Sequence, residues 1–234
     1  MKLNILAIGA HPDDVELSCS GTLLKHIAMG KKCGIIDLTA GELGTRGSAE
    51  IRLKEAAAAA KILGVSVRDN LKMADGFFKN DKEHQLLIIK KIREYQPEIV
   101  LCNAIDDRHP DHGRSAQLVS EACFYSGLRK IETKGQKVWR PKAVYQYIQE
   151  KQLKADFVVD VTAFTDKKMK AIQAFTSQFF DPNSREPESP ISSKNFMELV
   201  KAKMRVYGRE AGFEYAEGFT VERTPGIDNL FHIL

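Results

Sequence analysis

Three short, nearly continuous apolar runs limit what this chain can fold into. They are Leu3-Asn4-Ile5-Leu6-Ala7-Ile8, Gly34-Ile35-Ile36-Asp37-Leu38-Thr39 and Glu98-Ile99-Val100-Leu101-Cys102-Asn103. A strand with one face in water alternates apolar and polar residues; these runs do not, which suits strands buried on both faces of a parallel sheet. Between the first two lies a helical pattern from Asp13 through Leu17, Thr22, Leu23, His26 and Ile27, with Gly30 placed to end it. A β-α-β unit this compact is the opening of a doubly wound sheet. The expected fold is therefore α/β: a Rossmann-like three-layer α/β/α arrangement with a largely parallel sheet. A length of 234 residues allows one generous domain or two small ones, and one domain over 1–234 is expected.

The remaining pattern fills out that frame. An alanine-rich helix over 49–63 stops at Gly64, and helices are expected over 83–95, 113–126, 166–180 and 193–208. Strands are expected within 64–71 and over 143–148 and 157–161. A polar, proline-rich loop over 181–190 reads as plain surface in preference to a lid.

Composition excludes several classes. Hydrophobic content of 43% and charged content of 28% are ordinary for a globular protein and argue against disorder. The net charge of +4 is mild and its cations are dispersed, so nucleic acid is not an expected partner, while small anionic substrates remain open. Cys19, Cys33, Cys102 and Cys123 form no C-x-x-C pair and read as reduced core residues. The N-terminal apolar run is too short for a signal peptide, and no run approaches the roughly 18 residues of a membrane span. A cytoplasmic protein without a membrane partner is expected.

The chemistry sits at the ends of the strands, where open α/β sheets bind ligands. Ala10-His11-Pro12-Asp13-Asp14 follows the first run, and His109-Pro110-Asp111-His112 follows the third. No G-x-G-x-x-G is present at the first turn, and a negatively charged turn repels phosphate and attracts a cation. Pro12 biases His11 toward extended backbone and suits the first turn of the next helix. Imidazole and carboxylate suit zinc, which in catalytic sites commonly takes three protein ligands and leaves a position open. The spacing would let His11 and Asp14 reach one ion while Asp13 points at the open position. Spacing alone leaves Asp13 as base, further ligand or helix cap.

Ala10-His11-Pro12-Asp13-Asp14-Val15-Glu16 together with His109-Pro110-Asp111-His112 resembles the LmbE-like, or PIG-L, family of zinc-dependent N-acetylglucosamine deacetylases. The resemblance runs from residue 3 to about 219 and includes Gly41-Glu42, Arg46, Arg52, Ser177-Gln178-Phe179 and Tyr215-Ala216-Glu217-Gly218-Phe219. It implies His11, Asp14 and His112 as metal ligands, Asp13 as general base, and His109 as the group that stabilises the oxyanion or protonates the leaving amine. Asp111 is then expected to orient His109 or His112 by accepting a ring proton. The resemblance also implies substrate contacts: Arg52, which would grip an anionic group, and Asp75, suited to sugar hydroxyls, with Glu42 and Arg46 on the same rim.

Within the family the chain is most similar to the deacetylases of bacillithiol biosynthesis, whose substrate is N-acetylglucosaminyl malate. The implied cofactor is Zn2+, with Fe2+ able to occupy the same ligands, and relatives suggest a homo-oligomer. The alternatives are another N-acetylglucosaminyl substrate, a thiol-conjugate amidase, or a non-catalytic sugar- or nucleotide-binding module on the same fold. His26, His84 and His232 read as structural or surface residues, and Phe77, Phe78, Phe179 and Phe180 as core or interface.

Overall fold

The computed structural model describes residues 1–232. Five strands run parallel: β1 (Ile5–Gly9), β2 (Cys33–Thr39), β3 (Val67–Met73), β4 (Ile99–Cys102) and β5 (Ala143–Tyr147). At the edge, β6 (Phe157–Asp160) and β7 (Ala216–Val221) complete a seven-stranded sheet, with β7 antiparallel to both β5 and β6. The order across the sheet is β3-β2-β1-β4-β5-β7-β6. The chain winds outward from β1 to β3 and then returns to set β4 on the other side of β1. Strand order thus reverses between β1 and β4, and the carboxyl ends of these strands border the crevice where such sheets bind ligands.

Seven α-helices occur among the described residues: α1 (Asp14–Ser18), α2 (Ser20–Ala28), α3 (Ala49–Leu63), α4 (Lys82–Tyr95), α5 (Pro110–Tyr125), α6 (Thr165–Gln173) and α7 (Lys194–Glu210). They cover both faces of the sheet, and the period of two along β1 divides the core between them. Leu6 and Ile8 pack with Ile88, Ile89 and Ile92 of α4 and Val119 of α5. Ile5 and Ala7 pack with Val15 of α1, Leu23 of α2 and Ala171 of α6. Every residue of β1 and β2 is buried, as the unbroken apolar runs require. Each fully buried aliphatic side chain contributes about 1.5–3 kcal/mol, so the two-sided burial of these central strands is a large part of what holds the domain together.

The alanine-rich helix forms as expected. Ser48 accepts from Ile51 N at its start, and Gly64 ends it at φ 79°. Ala56 and Ala59 are buried on its inner face, where small side chains let α3 pack close to α6.

Three expectations are corrected and one strand is added. The helical pattern after Asp13 breaks at Cys19, because Glu217 of β7 accepts from Gly21 N at 2.9 Å and Thr22 N at 2.7 Å and so starts α2 afresh. α5 begins at Pro110, with His109 as its cap, not at residue 113; proline suits a first helical position, where the missing N–H costs nothing. α6 ends at Gln173, well short of residue 180, and Glu55 of α3 takes the freed Ser177 N at 2.7 Å. Strand β7 was not anticipated: Glu217 and Gly218 interrupt its apolar pattern, although both are buried.

All four cysteines are free and buried. Each phenylalanine pair splits: Phe78 and Phe179 enter the core, while Phe77 is 73% and Phe180 46% exposed. His26 bonds to Thr22 O and His84 to Asp81, as structural histidines do; the side chain of His232 lies outside the described residues. Among the described residues no helix is long and apolar enough to cross a membrane.

Candidate active site

The turn from β1 into α1 carries a strained residue. Asp13 has φ 126°, a region that ordinary residues avoid and that costs of order 1–3 kcal/mol unless the surroundings enforce it. Here they do: Leu17 N bonds to Asp13 O, and Arg52 of α3 donates to Asp13 Oδ2 at 2.7 Å and to Pro12 O at 2.9 Å. The result is that two adjacent, buried carboxylates face different partners. Asp13 faces Arg52; Asp14 accepts from His11 N and Asn103 Nδ2 at 2.9 Å each and from Gln149 Nε2 at 3.1 Å.

His112, in the first turn of α5, brings its Nε2 to 3.2 Å from Asp14 Oδ1, while His11 Nδ1 lies 3.6 Å from Asp14 Oδ2. The two sequence motifs therefore meet, as the switch between β1 and β4 dictates.

Outer carboxylates set the tautomers of both rings. Nε2 of His11 sits 2.9 Å from Asp75 Oδ1 and 3.3 Å from Asp111 Oδ2, and Nδ1 of His112 sits 2.5 Å from Asp107 Oδ2. Each ring thus lies between an outer carboxylate and Asp14; the outer carboxylates would keep a proton on His11 Nε2 and His112 Nδ1, so that a cation displacing the inner protons would find His11 Nδ1 and His112 Nε2 turned toward Asp14. Gln149 Nε2 is 3.4 Å from His112 Nε2 as well as bonded to Asp14 Oδ1, so an amide donor meets these converging acceptors. Two imidazole nitrogens and one carboxylate, with carboxylates behind, are a donor set that fits a divalent cation, which would take the place of the inner protons.

Ring nitrogens of His11, His109 and His112 also lie within 4.8 Å of one another, as do ligand atoms of His11, Asp75 and Asp111.

Electrostatics agree with a site built for positive charge. Burial works against an imidazolium at His112, but Asp14 and Asp107 outweigh it and raise its pKa to about 9. Burial likewise opposes charge on His11, and Asp111, Asp14 and Asp75 raise it well above its usual value. Burial pushes Asp13 up to about 7, against the pull of Arg52. His109 shifts the other way, lowered by burial and by the neighbouring His11 and His112. Its Nδ1 accepts from Asp111 N at 3.2 Å, so the neutral ring carries its proton on Nε2 and can donate from there.

The cleft is a cavity of about 390 Å³ to which His11, Asp13, Asp14, His109 and His112 all contribute. Arg46, Arg52 and Asp75 line it too, but several expected roles change. Arg52 is 5% exposed and committed to Asp13, Pro12 O and Gly41 O, so it holds the Asp13 carboxylate and does not stand free to grip an anion. Asp75 divides its carboxylate between His11 and Leu43 N, which makes it a partner of the ring before it is a partner of any sugar. Glu42 does not line the cavity; it accepts from Asp75 N and braces that turn. The Asp111 carboxylate hydrogen-bonds with His11, Gly76 N and Arg114, and not with the rings of His109 or His112. The 181–190 loop is not plain surface, since Ser189 and Pro190 border the cavity.

Three residues of the network escaped the sequence reading: Asp107, Asn103 and Gln149. Asn103 accepts from Ala10 N and donates to both Asp14 and Gln149. Asn103 directly follows β4 and Gln149 closely follows β5, so the strand-end rule that located the motifs points to them as well.

A family model described as PIG-L: GlcNAc-PI de-N-acetylase matches residues 6–123, which include both motifs. This chain belongs to the PIG-L family. Its fold superposes on a crystal structure of the conserved protein TT1542 from Thermus thermophilus with a TM-score of 0.87, at 35% identity over 98% of each chain. It is 29% identical over 241 residues to a diacetylchitobiose deacetylase of Thermococcus kodakarensis, covering 95% of this chain and 84% of the relative. It is 27% identical to a 4-oxalmesaconate hydratase of Pseudomonas putida, covering 74% and 73%. It is 28% identical to a probable N-acetyl-alpha-D-glucosaminyl L-malate deacetylase 2 of Bacillus anthracis, covering 75% and 81%. This PIG-L chain thus has relatives on its fold that bear deacetylase names and one that bears a hydratase name.

Proposed function

We propose that the cleft hydrolyses the N-acetyl group of an N-acetylglucosaminyl conjugate, with N-acetylglucosaminyl malate as substrate, and that the ion held is Zn2+. The observation that carries this reading is the pairing of a cation-binding donor set with a separate, arginine-held carboxylate, Asp13, on one cavity wall. Family membership and the malate-conjugate relative support the same substrate class.

In this reading His11, Asp14 and His112 would hold the ion. Bound there, a divalent cation would supply Lewis acidity toward the acetyl carbonyl and lower the pKa of water toward neutral. Asp13 accepts a proton from the attacking water, and its raised pKa suits a group that must later release that proton. His109 donates from Nε2 to the carbonyl oxygen as negative charge develops there; donors of this kind are worth about 100- to 1000-fold in turnover. The products are acetate and a free amine. Asp75, Asp111 and Asp107 keep the two ligand rings in the tautomers that binding needs.

The test is amine release from N-acetylglucosaminyl malate, diacetylchitobiose and a thiol conjugate, run beside metal analysis of the purified protein. Turnover that rises with bound zinc is expected, and no amine from any N-acetylglucosaminide at full metal occupancy overturns the reading. The 27% identity to a hydratase favours one rival, addition of water to an unsaturated polycarboxylate, because the same residues would deprotonate water for either reaction. Assaying 4-oxalmesaconate in the same panel separates the two.

A further inference from the structure

We infer that Arg46 is the group that reads a carboxylate on the substrate's aglycone, so that this cleft selects anionic over neutral N-acetylglucosaminides. The inference rests on the deacetylase reading above and deepens it by assigning the anion contact to a residue other than Arg52.

The cations lining the cavity are not equivalent. Arg52 pairs with Asp13, Lys168 with Glu217 and Arg108 with Glu150, and Lys203 donates to the backbone carbonyls of Gln149 and Glu150. Among the described residues Arg46 has no carboxylate partner. Its one side-chain hydrogen bond runs from Nη2 to Ser184 Oγ at 2.5 Å, and its Nε is buried without an acceptor; Arg52 Nε is likewise unmet, but the charge of Arg52 is already paired with Asp13. Yet the residue is only 4% exposed and lines the cavity. A guanidinium buried with a donor unmet is costly, and proteins retain such groups where a ligand completes them.

The backbone explains why Arg46 turns inward. Its carbonyl accepts from Gln178 Nε2 at 2.8 Å, and the next residue, Gly47, has φ 69° and sits so close to Ser177 that an added Cβ would lie 2.7 Å from Ser177 Oγ. The segment after α6 therefore clamps the loop from outside and leaves the arginine the cavity side. Ser184 comes from the proline-rich loop, so an anion on Arg46 would also meet that hydroxyl. The fork of Nε and Nη atoms matches a carboxylate in the bidentate manner, which an ammonium cannot reproduce.

The test compares the metal-loaded wild type with Arg46→Met and Arg46→Lys. Amine release is measured on N-acetylglucosaminyl malate and on neutral methyl N-acetylglucosaminide, and L-malate binding is followed by calorimetry at equal metal content. The expected result is that the kcat/KM ratio of anionic to neutral substrate falls about 10- to 100-fold in Arg46→Met, mostly through KM, and part-way in Arg46→Lys. Malate affinity should fall in the same order. A ratio unchanged in both variants, or a parallel loss on both substrates, overturns the inference, as does malate binding equally well to all three proteins or to none. Should Arg46→Met not fold, the lysine variant carries the same comparison. If no substrate is turned over, the deacetylase reading fails by itself, and the malate titration still decides Arg46.

Discussion

Arg52 Nη2 lies 2.7 Å from Asp13 Oδ2, with both side chains 6% exposed, so α3 holds the carboxylate that β1 and α1 cannot hold by themselves. Asp13 stands at a positive φ, and Arg52 also ties down the carbonyl of Pro12 before it. Removing one member of a buried pair leaves the other charge stranded, at a cost of about 3–5 kcal/mol. Arg52→Ala should therefore lower both stability and kcat, while KM for a neutral substrate changes much less. A variant that loses only substrate affinity, at wild-type Tm and kcat, would show that the arginine serves the ligand instead.

Asp13→Asn tests the proposed role of Asp13 as base. The amide is nearly isosteric and can still accept from Arg52, so metal content should persist. Turnover should drop about 100- to 10,000-fold, the usual worth of a positioned acid or base. Near-normal turnover would sink the assignment.

Asp107 is the finest check on the tautomer argument. It touches the ring of His112 without contributing to the converging lone pairs. Asp107→Asn should weaken metal binding about 10- to 100-fold in a chelator competition, and His112→Ala should weaken it further. Wild-type affinity in Asp107→Asn would mean that the His112 ring is set by α5 alone.

Lys168 and Glu217 form a fully buried pair that also bonds Leu17 O, Gly21 N and Thr22 N, and so shapes the break between α1 and α2. Lys168→Met and Glu217→Gln should each cost about 3–5 kcal/mol in urea unfolding, and the double variant less than their sum, since each strands the other. Strict additivity would show that the two groups act separately.

Acid should loosen the contact of α4 with β3. Burial raises the Asp69 carboxyl, but hydrogen bonds from Lys91 and Tyr95 outweigh it and hold its pKa below the usual value. Its folded pKa lies below its unfolded one, so its contribution is present above about pH 4 and is lost as pH falls through the lower, folded value. The stability difference between wild type and Asp69→Asn should narrow across that window; a difference that does not vary with pH would contradict the linkage.

What could be read without coordinates was whatever the chain states locally. Unbroken apolar runs marked β1, β2 and β4; Ser48 and Gly64 marked the ends of α3; and the strand-end position of His11, Asp14 and His112 located the crevice. These follow from backbone periodicity and from the rule that reversal of strand order opens a cleft, neither of which needs a distant partner. Side-chain commitments did. Arg52 looked like an anion grip because its type suits one, and only packing brought Asp13 within 2.7 Å of it. Asp111 looked like the partner of its neighbouring histidines, and the turn of α5 sent it to His11 instead. Glu217 interrupted an apolar pattern and hid β7, because a buried carboxylate is stable only where Lys168 and two amides, 49, 196 and 195 residues away in sequence, converge on it. The sequence by itself determined the parallel part of the sheet and the place of the site. The tertiary structure decided which charges are already paired and which, like Arg46, are left for a ligand, because pairing depends on distances between residues far apart in the chain.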